Sequence, residues 1–232
     1  MKKTFLFVAL DDLVDVETET LKKAEQLCLV NAPNFGFKVN FDYLSLKGLG
    51  AGIRTVQQFK RPVFADLKMN HGSRTMARVV AELVNLSVEY TNVSALMDGL
   101  IPDLVEVAKS SKTKILGLTV LSHFNDDYCR SHFRRTMFEA IQHFGQVALL
   151  RGCHGVIVPG TMLSAIEEWN TIKVATGIRP SWYKDDRHQQ TIEPAQAVAH
   201  GADILVCGDP IMKDTGPVVA LQKFLSEMES PL

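Results

Sequence analysis

Eight short apolar runs alternate along the chain with longer amphipathic stretches, and few folds accommodate such an alternation. Each run is rich in β-branched or aromatic residues and almost continuously hydrophobic, as expected of strands buried on both faces of a parallel sheet. The runs are TFLFVAL, FGFKVNF, PVFADLK, SVEYTNVSAL, KILGLTVLS, GVIVPG, IKVATGIRP and DILVCGDP. Several stretches between them have apolar residues at helical spacing, and one stops at a glycine. The sequence therefore predicts a repeated β–α unit.

Eight such units with no leftover segment favour an α/β fold of the closed (β/α)8 TIM barrel type, as a single domain over residues 1–232. A doubly wound open sheet is the alternative. It usually carries a glycine-rich dinucleotide loop after the first strand, and ALDDLV is not such a loop. Helices are predicted near LKGLGAGIRTVQQF, from Arg130 to about Leu150, and over MLSAIEEWN.

Charge and cysteine content exclude several classes of protein. The formal net charge is -1, so the chain lacks a basic field that would bind nucleic acid or a membrane by charge alone. The four cysteines are scattered without a CxxC pair, which is typical of reduced thiols and not of a disulfide framework or a zinc site. The start, MKKTFLFVALDD, is interpreted as a first strand and not as a signal peptide. We expect a cytoplasmic protein with no metal site.

Polar and ionisable residues gather at the carboxyl ends of the predicted strands, where barrel enzymes place their active sites. They are Asp11 after the first strand, Lys38 in the second, Asp66 and Lys68 in the third, Asn92 in the fourth, Thr119, Ser122 and His123 in the fifth, Arg179 in the seventh, and Gly208 and Asp209 in the eighth.

The third predicted strand carries two opposite charges, Asp66 and Lys68, two residues apart. Side chains alternate along a strand, so both are expected on one face, where Lys38 and Asp11 would complete a mixed row of charges. Each charge in such a row stabilises the ionised form of its neighbour. A structural ion pair that plugs the barrel is the alternative, but buried pairs stabilise weakly, and Val or Ile would serve stability better. We therefore interpret the row as functional.

Several motifs, in chain order, carry a family resemblance. FADLKMNHGSRT resembles the D-x-K-x-x-D-I-x-x-T signature of the orotidine 5'-phosphate decarboxylase family. VALD is similar to that family's first strand, FKVNFDYL to its KVG strand, TNVSA to NVHA, TVLSH to TVLTS, TGIRP to PGIRP and CGDPI to GRPI. The similarity runs from the first strand to the eighth.

The resemblance implies a decarboxylase without a cofactor, which converts orotidine 5'-monophosphate to uridine 5'-monophosphate in pyrimidine biosynthesis. It also implies that Asp66 disfavours the ground-state carboxylate, while Lys68 stabilises and protonates the carbanion. Lys38 resembles the lysine that holds this aspartate and touches the ribose.

The same resemblance implies a nucleotide substrate and a homodimer with its site at the subunit interface. Asp11 resembles the ribose-binding aspartate, and Ser122 resembles the residue that reads the pyrimidine. Thr75 resembles the threonine that reaches across the dimer interface.

Several positions depart from the family's motifs, among them Gly72 and Ser73, and two of the departures change a charge. The second aspartate of the third-strand signature, which the partner subunit supplies, is His71 here, and histidine cannot supply a fixed negative charge. The arginine that grips the 5'-phosphate after the eighth-strand glycine, Gly208, is Asp209 here. We expect His71 at the catalytic site, and Gly208 and Asp209 beside the phosphate.

The seventh loop, SWYKDDRHQQ, takes the place of a phosphate-binding segment of the family. Lys184 and Arg187 are candidate replacement cations, and His188 or Gln189 stands for the family's phosphate-binding glutamine. A solvated charged loop is the alternative.

The sequence leaves two other functions open. One is a related barrel lyase for another phosphorylated acid, such as the keto-sugar phosphate decarboxylases, which use Mg²⁺ and a further acidic ligand. The other is a nucleotide-binding barrel that has lost catalysis, which His71 and Asp209 favour.

Overall fold

The computed structural model describes residues 3–184 and 190–230, and within them eight parallel strands close into a barrel. The strands pair in chain order, and the eighth pairs with the first, which confirms the predicted TIM barrel. The strands are β1 (Phe5–Ala9), β2 (Phe35–Asn40), β3 (Val63–Met69), β4 (Tyr90–Ser94), β5 (Lys114–Leu118), β6 (Gly155–Pro159), β7 (Ile172–Thr176) and β8 (Ile204–Cys207).

Helices follow the strands along the chain. The α-helices of the described residues are α1 (Glu17–Leu27), α2 (Phe41–Lys47), α3 (Leu49–Gln57), α4 (Ser73–Asn85), α5 (Ile101–Ala108), α6 (Asp126–Phe133), α7 (Met137–Leu150), α8 (Pro194–Ala199), α9 (Asp209–Met212) and α10 (Pro217–Glu229). Short 3-10 helices are Asp11–Leu13, Ala95–Leu100 and Gly160–Ile166. Over the described ranges, no helix combines the length and apolar character needed to cross a membrane.

Successive side chains of each strand point to opposite faces of the barrel wall. The apolar side chains therefore form two clusters, one on each face, and both stabilise the barrel. Leu6 belongs to the larger cluster, which the helices share, and its neighbour Phe7 belongs to the smaller one. In the smaller cluster the centroid of the Phe7 ring lies 5.6 Å from the centroid of the Phe64 ring and 5.5 Å from that of the Tyr90 ring, and both pairs are edge-to-face. These aromatic contacts fix β1 against β3 and β4.

The helix predicted from Arg130 to about Leu150 is in fact two helices, α6 and α7. Arg134 ends α6 with a left-handed backbone (φ 57°). The Thr136 hydroxyl then accepts a hydrogen bond from the Glu139 amide (3.2 Å), and the Glu139 carboxylate accepts one from the Thr136 amide (2.8 Å). This reciprocal cap satisfies free amides and starts a new helix.

Two other predicted helices also differ from the structure. The stretch near LKGLGAGIRTVQQF is divided into α2 and α3 at Gly48, whose φ of 82° suits a residue without a Cβ atom. After β6 the chain forms the 3-10 helix Gly160–Ile166 in place of the α-helix predicted over MLSAIEEWN.

Candidate active site

A cavity of about 240 Å³ opens among the carboxyl ends of the strands. Part of its lining is apolar, from Phe64, Leu118, Ile157 and Val206. The predicted site residues that line it are Asp11, Lys38, Asp66, Lys68, Ser122, Gly208 and Asp209, with Asn92, His123 and Arg179 beside them. The position agrees with the general location of active sites in this fold.

Lys38, Asp66 and Lys68 form a row of alternating charges in this cavity. The Lys38 ammonium lies 3.1 Å from Asp66 Oδ2, and the Lys68 ammonium lies 2.6 Å from the same oxygen. Lys38 and Asp66 are buried, whereas the Lys68 side chain is 44% exposed. The row is therefore anchored inside the barrel at Lys38 and accessible to a ligand at Lys68.

The charges of this row keep one another ionised. Burial alone would raise the pKa of Asp66, but Lys38, Lys68 and a hydrogen bond from Asn92 hold that pKa well below its usual range. Burial alone would lower the pKa of Lys38, but the carboxylates of Asp66 and Asp11 raise it above its usual value. Asp66 and Lys38 are therefore both charged at neutral pH.

Strand β3 is irregular where it carries these charges. Its pairing with β4 shifts in register between Ala65 and Met69. Lys68 has a left-handed backbone (φ 46°), and its amide donates to Asn92 Oδ1 at 2.6 Å. The prediction that Asp66 and Lys68 share one face is confirmed, because both side chains line this cavity whereas Leu67 and Met69 do not. The bulge interrupts only the pairing of β3 with β4.

Two asparagines take part in the charge network, and sequence reasoning gave neither a role. Asn92 is fully buried on β4 and donates to Asp66 Oδ1 at 2.7 Å. Asn40 donates to Asp11 Oδ1 at 2.8 Å and accepts a hydrogen bond from the Lys38 ammonium, which also lies 3.1 Å from Asp11 Oδ1. The signal for Asn40 was its spacing, since it follows Lys38 by two residues on the same strand face.

Asp11, Gly208 and Asp209 form the wall where β1 meets β8. A Cβ atom at Gly208 would lie 3.0 Å from Asp11 Oδ2, so the absence of a side chain keeps this wall open. The Asp209 carboxylate lies 3.2 Å from the Lys213 ammonium. That pairing offsets part of the negative charge that Asp209 brings to the cavity.

Ser122 reaches the cavity from a loop. β5 ends at Leu118 and β7 at Thr176, earlier than the sequence predicted, so Ser122 and Arg179 both follow the strands. Ser122 is nevertheless buried against the cavity. The chain can turn after β7 because Gly177 adopts a φ of 73°.

His71 and Thr75 do not line this cavity. They border a second depression of about 310 Å³, together with Phe41, Leu67 and Met69. The His71 side chain is exposed there. The predicted site residues are therefore divided between two surfaces of one chain.

Two predicted phosphate-binding residues, Arg187 and His188, lie outside the described residues, as does Gln189. Among the side chains that the structure does describe, no group of three or more His, Cys, Asp or Glu is arranged to hold a metal ion.

Comparison with known proteins supplies the family. The family described as "Orotidine 5'-phosphate decarboxylase / HUMPS family" matches residues 4–224. The chain belongs to this family. An orotidine 5'-phosphate decarboxylase of Wolbachia sp. subsp. Brugia malayi is 26% identical over 220 residues, which are 92% of this chain and 96% of that protein. One of Aquifex aeolicus is 31% identical over 193 residues, 78% of this chain and 80% of that protein.

Solved structures agree with this family fold. Orotidine 5'-phosphate decarboxylase from Lactobacillus acidophilus superposes with a TM-score of 0.76 at 21% identity, covering 99% of this chain and 100% of that chain. An uncharacterized conserved protein from Geobacillus kaustophilus superposes with a TM-score of 0.78 at 19% identity, covering 96% and 99%. At these identities the likeness concerns the fold.

Membership of the orotidine 5'-phosphate decarboxylase/HUMPS family confirms the resemblance carried by FADLKMNHGSRT and the later motifs. The two departures that change a charge fall in different places. Asp209 lies on the wall of the main cavity, and His71 lies at the second depression.

Proposed function

We propose that the chain, as one barrel domain over residues 1–232, is a carboxy-lyase that converts orotidine 5'-monophosphate to uridine 5'-monophosphate in pyrimidine biosynthesis without a cofactor. The observation that carries this proposal is the row of Lys38, Asp66 and Lys68 in the barrel cavity. The names of the relatives from Wolbachia and Aquifex aeolicus support the choice of substrate.

Asp66 and Lys68 carry the chemistry in this proposal. The negative Asp66 lies beside the substrate carboxylate, and their repulsion is relieved as the carboxylate leaves as CO₂. The carbon–carbon bond breaks and its electron pair stays on the pyrimidine carbon. The Lys68 ammonium stabilises that charge and donates a proton to the same carbon. Lys38 keeps Asp66 ionised and in place through their 3.1 Å contact.

The remaining cavity residues bind the nucleotide in this proposal. Asp11 accepts hydrogen bonds from ribose hydroxyls, and Ser122 contacts the pyrimidine. The phosphate lies towards Gly208 and Asp209, with Arg187 and His188 of the seventh loop. The Lys213 ammonium supports this placement, because it reduces the repulsion between Asp209 and a phosphate.

A homodimer completes the site in the proposal, with His71 and Thr75 of one subunit acting in the cavity of the other. Both residues border a depression that is lined largely by apolar side chains. Phe41, which borders this depression, is 53% exposed, and Leu46 on the same helix α2 is 76% exposed. Clustered exposed apolar residues are typical of protein contact surfaces.

A cytoplasmic location is the last part of the proposal. All four cysteines, among them the buried Cys153 and Cys207, are free thiols. Free thiols support a reducing compartment.

A single assay tests the reaction. The wild-type protein is mixed with orotidine 5'-monophosphate, with and without Mg²⁺, and the fall in the substrate's ultraviolet absorbance is followed. We expect turnover without added metal and none in Asp66→Ala. The matched control is Glu106→Ala, which removes an exposed helix carboxylate 3.5 Å from Lys109, and it should keep full activity.

Folding of Asp66→Ala is checked by circular dichroism, because the substitution leaves two ammonium groups without their counter-charge. If the Asp66→Ala protein is folded and active, Asp66 has no essential role in the mechanism. If the wild-type protein shows no turnover, the proposed function is refuted.

Asp209 and His71 favour a second candidate, a family member that binds nucleotides without turnover. Binding of uridine 5'-monophosphate, measured by calorimetry, together with unchanged absorbance of the substrate selects this candidate. A strict requirement for Mg²⁺ would instead support a related lyase for another phosphorylated acid.

A further inference from the structure

Asn92 hydrogen-bonds to both residues that the proposal assigns to the chemistry, Asp66 and Lys68, through the two polar atoms of its side-chain amide. It is fully buried on β4. Its Nδ2 donates to Asp66 Oδ1 at 2.7 Å, and its Oδ1 accepts a hydrogen bond from the backbone amide of Lys68 at 2.6 Å. A single side chain thus contacts the carboxylate of one catalytic candidate and the backbone of the other.

The contact with Lys68 occurs where β3 departs from regular pairing. The register with β4 shifts between Ala65 and Met69, and Lys68 has a φ of 46°, which is unfavourable for a residue with a Cβ atom. A backbone amide without a partner in such a place is costly. The Asn92 oxygen takes the role that a backbone carbonyl has in a regular sheet, and it stabilises the bulge.

The contact with Asp66 fixes the rotation of the carboxylate. Asp66 Oδ2 accepts from Lys38 at 3.1 Å and from Lys68 at 2.6 Å, while Oδ1 accepts from Asn92. Rotation about the last side-chain bond would break at least one of these contacts. The direction in which the carboxylate presents its charge is therefore set by three donors from three strands.

We propose that Asn92 is a positioning residue for decarboxylation, which orients Asp66 through its amide donor and holds Lys68 in its left-handed bulge through its amide acceptor. The inference rests on the proposed function, since it assigns Asn92 to the site where Asp66 and Lys68 act. Asn92 acts through these two neighbours and not on the reacting atoms.

The first test removes both hydrogen bonds. Asn92→Leu has a similar size but no polar atoms, and kcat should fall roughly 100-fold, the loss expected when a catalytic group is displaced by about 1 Å. KM should change little, because the groups that bind the nucleotide are untouched. The matched control is Thr91→Val, which removes a buried hydrogen bond (3.0 Å) from the same strand to the Ala65 carbonyl. It should lower thermal stability and leave kcat unchanged.

The second test separates the donor from the acceptor. Asn92→Asp keeps an oxygen for the Lys68 amide but replaces the donor to Asp66 by a carboxyl group. The introduced carboxyl group can donate only when it is protonated. We therefore expect kcat of Asn92→Asp to rise as the pH falls from neutral, over a range where the wild-type kcat is flat. A merely structural side chain would not produce this pH profile.

A third measurement does not depend on turnover. Hydrogen exchange of the Lys68 backbone amide, followed by NMR, should be faster in Asn92→Leu and remain slow in Asn92→Asp and Thr91→Val. The proposal is overturned if Asn92→Leu keeps the kcat of Thr91→Val, or if the Lys68 amide stays equally protected in every variant. If the wild-type protein has no turnover, the proposed function fails, and the exchange rates alone decide whether Asn92 holds Lys68.

Discussion

At the scale of single residues, the ionisation of Asp66 sets the pH range over which the charged row is intact. The pKa of Asp66 in the folded chain lies far below the value of about 3.9 for an unfolded aspartate. Its contribution to stability is therefore fully present above about pH 4 and is lost as the pH falls towards the folded value. The raised pKa of Lys38 sets the alkaline limit of this range. The contribution of Lys38 to stability is fully present below about pH 10 and is lost as the pH rises through the pKa that Lys38 has in the folded chain.

Replacement of Asp66 by asparagine tests this argument. At neutral pH, Asp66→Asn should lower the free energy of unfolding by about 3–5 kcal/mol, because it leaves the buried Lys38 without its main counter-charge. The difference from the wild type should stay constant between about pH 5 and pH 8 and shrink below about pH 4. Urea unfolding at a series of pH values measures it. A difference that persists undiminished at about pH 2 would contradict the assigned ionisation.

The charge of Asp209 governs how well a phosphate is held in the proposed reaction. Asp209→Arg exchanges a negative group on the cavity wall for a bidentate phosphate donor. KM for orotidine 5'-monophosphate should fall about tenfold or more, since hydrogen bonds to charged groups contribute roughly 1.5–3 kcal/mol. The nucleoside orotidine, which has no phosphate, is the control substrate, and its KM should not fall. An equal effect on both substrates would mean that Asp209 does not face the phosphate.

Most of the cavity's charged residues could be located from the sequence. Charged side chains are rare inside apolar strands, and Lys38, Asp66 and Lys68 stand out there towards the carboxyl ends of their strands. The bulge could not be found in this way. It depends on a hydrogen bond from Lys68 to Asn92, 24 positions further along the chain, and nothing in the local pattern of β3 indicates it.

At the scale of secondary structure elements, the break between α6 and α7 offers a prediction about stability. Arg134 ends α6 in the left-handed region (φ 57°), where a residue with a side chain is strained and glycine is not. Arg134→Gly removes a strain of about 1–2 kcal/mol but adds an entropic cost of about 0.5–1 kcal/mol. The free energy of unfolding should therefore rise by about 0.5–1 kcal/mol. Gln146→Gly, at an exposed position inside α7, is the control and should lower it by about 1 kcal/mol. Thermal unfolding distinguishes the two, and a loss of stability in both would contradict the argument.

The strands were easier to predict than the helices for a physical reason. A strand buried on both faces needs a continuous apolar run, and the sequence contains eight of them. A helix boundary instead depends on one or two residues, and Arg134 in a left-handed conformation carries no sequence signal of the kind that glycine gives. The pattern therefore predicted the number and order of β–α units but missed this break.

At the scale of the whole molecule, the proposed homodimer makes a prediction about assembly. Phe41 is exposed beside the depression that holds His71 and Thr75, and it should be buried by the second subunit. Phe41→Asp should convert the dimer to a monomer, because an unpaired charge in an apolar contact is strongly unfavourable. Leu29→Asp, at another highly exposed apolar residue outside the depression, should leave the dimer intact. Analytical ultracentrifugation measures both, and a monomeric wild-type protein would refute the arrangement.

His71 connects the assembly to the chemistry. Within the described residues, the row consists of two lysines and one aspartate, and the proposed dimer brings the partner's His71 to its open end at Lys68. His71→Asp would supply a negative charge there, so kcat should rise about tenfold, which corresponds to about 1.4 kcal/mol of the barrier. His71→Asn, which carries no charge, should give no gain. The gain should also vanish when His71→Asp is combined with Phe41→Asp, because the charge then belongs to a separate monomer. A gain that survives in the monomer would place His71 in the cavity of its own chain.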